Sequence, residues 1–107
     1  MKTLKFIGSS LDDLRDMPAT ARRALGIELM TIQYGREPSD FKPMKTVGAG
    51  ASEIRYRDAS GAFRVIYVAK FAEAVYVLHA FQKKTQKTAK ADIDLAAQRY
   101  KLIGEQT

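Results

Sequence analysis

From Ser52 onward the hydropathy of this chain repeats every two residues, and that change of period constrains the fold more than any other feature. Ile54 and Tyr56 share one face, while Glu53, Arg55 and Arg57 share the other. Asp58-Ala59-Ser60-Gly61 reads as a tight connection. Ala62–Lys70 and Glu73–Phe81 follow as runs dense in Val, Ile, Tyr and Phe, separated by a very short turn. Three consecutive strands with short links predict an antiparallel meander.

The first half has a different rhythm. Thr3–Ile7 is short, apolar and β-prone, and Gly8 stops it. Ser10 with Asp13 resembles a capping box, and Leu11 and Leu14 follow at helical spacing. Asp12, Asp13 and Asp16 resemble a metal cluster, but acidic residues in a first helical turn are what the macrodipole favours. Pro18 ends that helix and suits the start of another. Ala21, Leu25, Leu29 and Ile32 then define one buried face, closed by Gly35, with Gly26 as the weak point. Residues 35–51, carrying Pro38, Pro43, Gly48 and Gly50, read as a loop. Ile93, Ala96, Ala97, Tyr100 and Ile103 predict a last helix from Asp92 to Ile103. The expected architecture is α+β, a single domain over 1–107. A small antiparallel sheet packs against an N-terminal helical hairpin, in the order βααβββα.

Composition narrows the chemistry. A chain of 107 residues without cysteine has no disulfide, thiolate zinc site or thiol nucleophile. One histidine rules out multi-histidine metal sites, and no Gly-rich segment fits a phosphate-cradling pattern. No metal or other cofactor is expected. No apolar run is long enough to span a membrane, and Met1–Ile7 is too short for a signal peptide, so a cytoplasmic location is expected. The formal net charge is +6. Residues 1–41 balance, whereas 42–70 and 82–101 each hold six basic groups against two acidic ones. An excess confined to the second half suits a polyanion, although small domains also carry such charge for solubility alone.

Several side chains stand out within that half. Arg64 is isolated among Phe63, Val65, Ile66, Tyr67 and Val68, so it must either reach solvent or pair with Glu53 or Asp58. His79, in an apolar strand, is either a packed residue or a proton-transfer group. Lys83, Lys84 and Lys87 form a phosphate-contacting surface or a solvated loop.

The set Asp40-Phe41-Lys42-Pro43-Met44-Lys45, Gly48-Ala49-Gly50, Glu53-Ile54-Arg55, Phe63-Arg64-Val65-Ile66-Tyr67 and His79 through Thr88 resembles the phage-derived branch of the RelE/HigB-like toxin superfamily. The resemblance covers nearly the whole chain. Ala89 replaces a proline usual in that branch, and Ala51 a bulkier residue. It implies the toxin of a type II toxin–antitoxin system that cleaves messenger RNA at the ribosome and is held inactive by a helix-turn-helix antitoxin. It maps catalytic positions onto Arg64, Arg55, Lys83 and Lys84, with Glu53 standing where such toxins often carry a basic residue. Metal-independent cleavage by a 2′-hydroxyl needs fixed cations and a proton acceptor. A proton donor is required as well; His79 suits either role, and a lysine crowded by cations is a second candidate for the base. Arg57, Lys45 and Lys87 are expected to bind flanking RNA. The alternative is a non-catalytic RNA-binding module or a degenerate phage accessory protein. The nuclease reading requires these cations to converge on one phosphodiester, and it collapses if they are splayed over unrelated surfaces or if Arg64 is sealed inside the protein against a carboxylate.

Overall fold

The computed structural model describes residues 1–105. Its elements are β1 (Thr3–Phe6), α1 (Ser10–Arg15), α2 (Ala19–Gln33), β2 (Phe41–Pro43), β3 (Ala51–Asp58), β4 (Gly61–Val68), β5 (Ala74–Lys83) and α3 (Lys90–Glu105). The strands form one sheet in the order β1-β5-β4-β3-β2. The β3–β4–β5 meander is antiparallel, as the period of two predicts. Two features were not foreseen. β1 runs parallel to β5, and Phe41–Pro43 adds an edge strand against β3 within the segment read as a loop.

Both faces of the sheet are covered. The α1–α2 hairpin packs Leu14, Leu25, Leu29 and Ile32 against Ile54, Phe63, Val65, Val75 and Val77. On the opposite face α3 brings Ala96 and Ile103 against Ile66, Val68, Tyr76 and Leu78. Strands buried on two sides read as continuous apolar runs, which is why β4 and β5 carry so little polar alternation.

Local chemistry sets the ends of these elements. The cap of α1 is one residue earlier than the sequence suggests. Ser9 occupies the N-cap and donates from Oγ to Asp13 Oδ2 at 2.7 Å. Ser10 is buried and donates to the Val77 carbonyl at 3.0 Å. In the β3–β4 turn, Asp58 Oδ1 accepts the Ser60 N–H at 2.8 Å, and Gly61 adopts φ 138°, a conformation that favours glycine. α3 seats the 44–50 loop: Tyr100 Oη donates to the Ala49 carbonyl at 2.7 Å. A Cβ at Gly48 would lie 2.5 Å from the Tyr100 ring, so that close approach requires glycine.

One irregularity decides where the chemistry falls. Ile66 pairs with His79, but Tyr67 pairs with Val77, so β5 carries one extra residue at Leu78. A bulge of this kind reverses the in–out alternation beyond it. Val75 and Val77 face α2, whereas His79, Phe81 and Lys83 face the α3 side.

Candidate nucleic-acid interface

The register places three rows of side chains on the α3 side of the sheet. Lys42, Glu53, Ile66 and His79 form one row; Arg55, Arg64 and Phe81 form the next; Arg57, Ala62 and Lys83 form the last. α3 covers only the His79 end, since Asp92 and Ile93 in its first turns meet the sheet there. The rest of the face stays open. It forms the floor of a cleft of about 640 Å³, walled by the 42–46 segment on one side and residues 83–88 on the other.

Six cations line this cleft: Lys42, Lys45, Arg55, Arg64, Lys83 and Lys87, with Glu53 the one carboxylate. Arg55 and Arg64 also border a smaller adjoining depression of about 320 Å³ with Arg57, Tyr56 and Asp40. Among the described residues, Lys42, Lys45, Arg55, Arg57, Lys83 and Lys87 make no ion pair. Uncompensated charge crowded in one concavity raises the local potential for an anion.

Arg64 differs from the others. It is 4% exposed, its Nε lies 3.5 Å from Oε1 of a Glu53 that is 3% exposed, and its Nη1 donates to the Phe63 carbonyl at 2.9 Å. Burial lowers its pKa; Glu53 opposes that shift, while Arg55 and Arg57 add to it. Thr88 Oγ1 donates to the other oxygen of Glu53 at 2.7 Å and ties the 83–88 wall to the floor. Of the two fates open to Arg64, pairing with Glu53 is the one realised. Arg64 is therefore not freely exposed, yet it is not sealed off either: it borders both the cleft and the adjoining depression, and its Nε makes no hydrogen bond.

Lys83 is half-buried at the cleft rim. Partial burial, then the charges of Arg64, Arg57 and Arg55, lower its pKa below the ordinary lysine range, with Glu53 acting the other way. Lys84, the next residue, is exposed and does not line the cleft. His79 is 7% exposed, its Nε2 lies 2.7 Å from Asp92 Oδ1, and its ring stacks on Phe81 with centroids 4.6 Å apart. Its Nδ1 is buried without a partner. His79 is not among the residues lining the cleft, and its contact with Asp92 docks the start of α3 on β5. Lys42 and Thr88 are the residues that sequence reasoning missed. Lys42 was hidden by reading β2 as loop, and Thr88 by a contact 35 residues away in the chain.

No three metal-ligating side chains converge among the described residues, and no helix there is long and apolar enough to cross a membrane. The family described as phage-derived Gp49-like protein matches residues 12–101. Among solved structures, the chain is similar to a free-state mutant of the E. coli toxin RelE in which two arginines are replaced by alanine. The TM-score is 0.66 at 18% identity, over 95% of this chain and 97% of that one. At that identity the likeness establishes the α+β fold. No curated protein matches significantly.

Proposed function

Since this chain belongs to the phage-derived Gp49-like family, a family of RelE-like toxins, we propose that it is the toxin of a type II toxin–antitoxin pair. In this reading it cleaves messenger RNA on the ribosome, in the cytoplasm and without a metal ion, and a helix-turn-helix antitoxin restrains it. The observation that carries the reading is the open cleft, lined by Lys42, Lys45, Arg55, Lys83 and Lys87, none of which makes an ion pair among the described residues.

The chemistry follows from that arrangement. A ribose 2′-hydroxyl attacks the adjacent phosphorus, giving up its proton to the neutral amine of Lys83. The P–O5′ bond breaks, and the 5′ oxygen leaves carrying a proton from solvent. The products are a 2′,3′-cyclic phosphate and a 5′-hydroxyl. Negative charge on the non-bridging oxygens peaks in the transition state, so cations fixed nearby stabilise it more than the ground state. Arg55 suits this role because its planar donors can bridge two oxygens and it stays charged. Lys42, Lys45 and Lys87 hold flanking phosphates, and Arg57 extends the track into the adjoining depression.

The pairing of Arg64 with Glu53 favours one rival, a module that binds RNA without cutting it, because a position the resemblance marks as catalytic is neutralised. Induction of wild type and Arg55→Ala in a bacterium, followed by mapping of transcript ends, separates the two. The nuclease reading expects new ends in the wild type, reduced by about a hundredfold or more in the variant, the usual cost of losing one transition-state donor. Growth arrest without new transcript ends in the wild type supports the binding module and overturns the nuclease.

A further inference from the structure

We infer that the outer ridge of α2 is a homodimer contact, on which a second copy of this chain packs antiparallel. Three of the large apolar side chains left exposed in the fold, Ile27 at 62%, Met30 at 53% and Tyr34 at 64%, belong to this one helix and its cap. With Arg23 they recur at spacings of 4, 3 and 4, opposite the buried stripe of Ala21, Leu25, Leu29 and Ile32. Apolar residues that repeat at helical spacing on a solvent face mark a helix that lacks a partner.

The order of residues along the ridge identifies the partner. Arg23, Ile27, Met30 and Tyr34 are symmetric about the midpoint between 28 and 29. A two-fold axis there sets Arg23 of one copy against Tyr34 of the other, and Ile27 against Met30. Each pairing is favourable: a guanidinium over an aromatic face, and apolar against apolar. Each end of the contact therefore sets a cation against an aromatic ring. Arg23 makes no ion pair within the described residues. The one acidic residue of α2, Glu28, is turned aside and held by Ser39, whose N–H and Oγ donate to it at 2.7 and 2.9 Å. Gly26 flanks the ridge, and a Cβ there would meet nothing within 4 Å. Nothing inside the protomer requires a glycine at that site, whereas close approach by a second helix does. The cleft lies on the other face of the sheet, so dimerisation leaves both clefts open.

A single helix from each copy makes a small contact, so association in the range of about 10–100 μM is expected. Sedimentation equilibrium of the full chain across that range tests this. Wild type is expected to show a reversible monomer–dimer equilibrium, and Ile27→Arg to weaken it at least tenfold. Thermal unfolding should stay unchanged in that variant, because Ile27 is exposed in the protomer. The chain has no cysteine, so a mixture of Ile27→Cys and Met30→Cys should form a 27–30 disulfide between copies. A wild type that stays monomeric throughout, or a dimer indifferent to Ile27→Arg, overturns the inference. So does a monomeric wild type whose Ile27, Met30 and Tyr34 resonances shift only when a helix-turn-helix partner is added; the ridge then belongs to that partner. None of these readouts depends on RNA cleavage.

Discussion

Arg64→Ala is expected to lower the unfolding free energy by about 3–5 kcal/mol, the usual cost of stripping one member from a buried ion pair. The reason lies in what remains. Glu53 is 3% exposed and would keep only the Thr88 hydroxyl as a partner, beneath a rim whose cations point towards solvent. Removing both charges is a different matter. Glu53→Gln with Arg64→Met keeps an acceptor for Thr88 and fills the space under Arg55 with apolar volume. Most of the lost stability should therefore return, since buried pairs often contribute little net energy over apolar replacements. Urea unfolding of the three proteins measures both effects. A cost below about 1 kcal/mol for Arg64→Ala is what a solvent-screened pair would give, and it would show that Arg64 is not held as described. The same variants separate position from chemistry: if Arg64 acts by supporting Arg55, the double variant regains activity together with stability.

Lys83 carries the second large effect. Lys83→Ala should reduce cleavage by about 10²–10⁴-fold, the span of a lost general base. Lys83→Arg retains the positive charge, yet it should rescue almost nothing, because a guanidinium does not deprotonate in this range. The pH profile supplies the sign. The active species is the neutral amine, so the rate should climb about tenfold per pH unit and level off above the pKa of Lys83. Burial and the neighbouring arginines lower that pKa, so levelling should come below the ordinary lysine range. Arg55→Ala reduces the rate and also removes one of the charges that lower the lysine's pKa, which moves the plateau to higher pH. If Lys83→Arg cleaves at the wild-type rate, the ammonium serves only as charge and the base lies elsewhere.

Much of the fold was legible because it rests on local periodicity. The stripe from Ala21 to Ile32 and the alternation from Ser52 onward each dictate one element, and the shortness of the links dictates the meander. What escaped depends on partners distant in the chain. A three-residue strand such as Phe41-Lys42-Pro43 has no period to detect, and its pairing is fixed by Ile54 and Ser52 across the loop. The parallel docking of β1 on β5 likewise leaves no local trace. At the site, convergence of the basic residues could be anticipated from their place on one strand face, and Arg55, Lys83, Lys45 and Lys87 do meet in one cleft. The bulge at Leu78 could not, and it is this bulge that carries Lys83 to the cleft rim and His79 beneath α3. Burial of the Arg64–Glu53 pair was one of two outcomes the pattern allowed. Choosing between them required knowing that residues 83–88 fold back and close over Glu53 through Thr88.

The chemistry of the cut ends is the most direct measure of the central claim, that cations and one loosened lysine cleave RNA through its own 2′-hydroxyl. Purified chain, incubated with messenger-programmed ribosomes in excess chelator, is predicted to yield fragments ending in 2′,3′-cyclic phosphate and beginning with 5′-hydroxyl. Fragments carrying 5′-phosphates, or cleavage that ceases when divalent ions are sequestered from otherwise intact ribosomes, would contradict it.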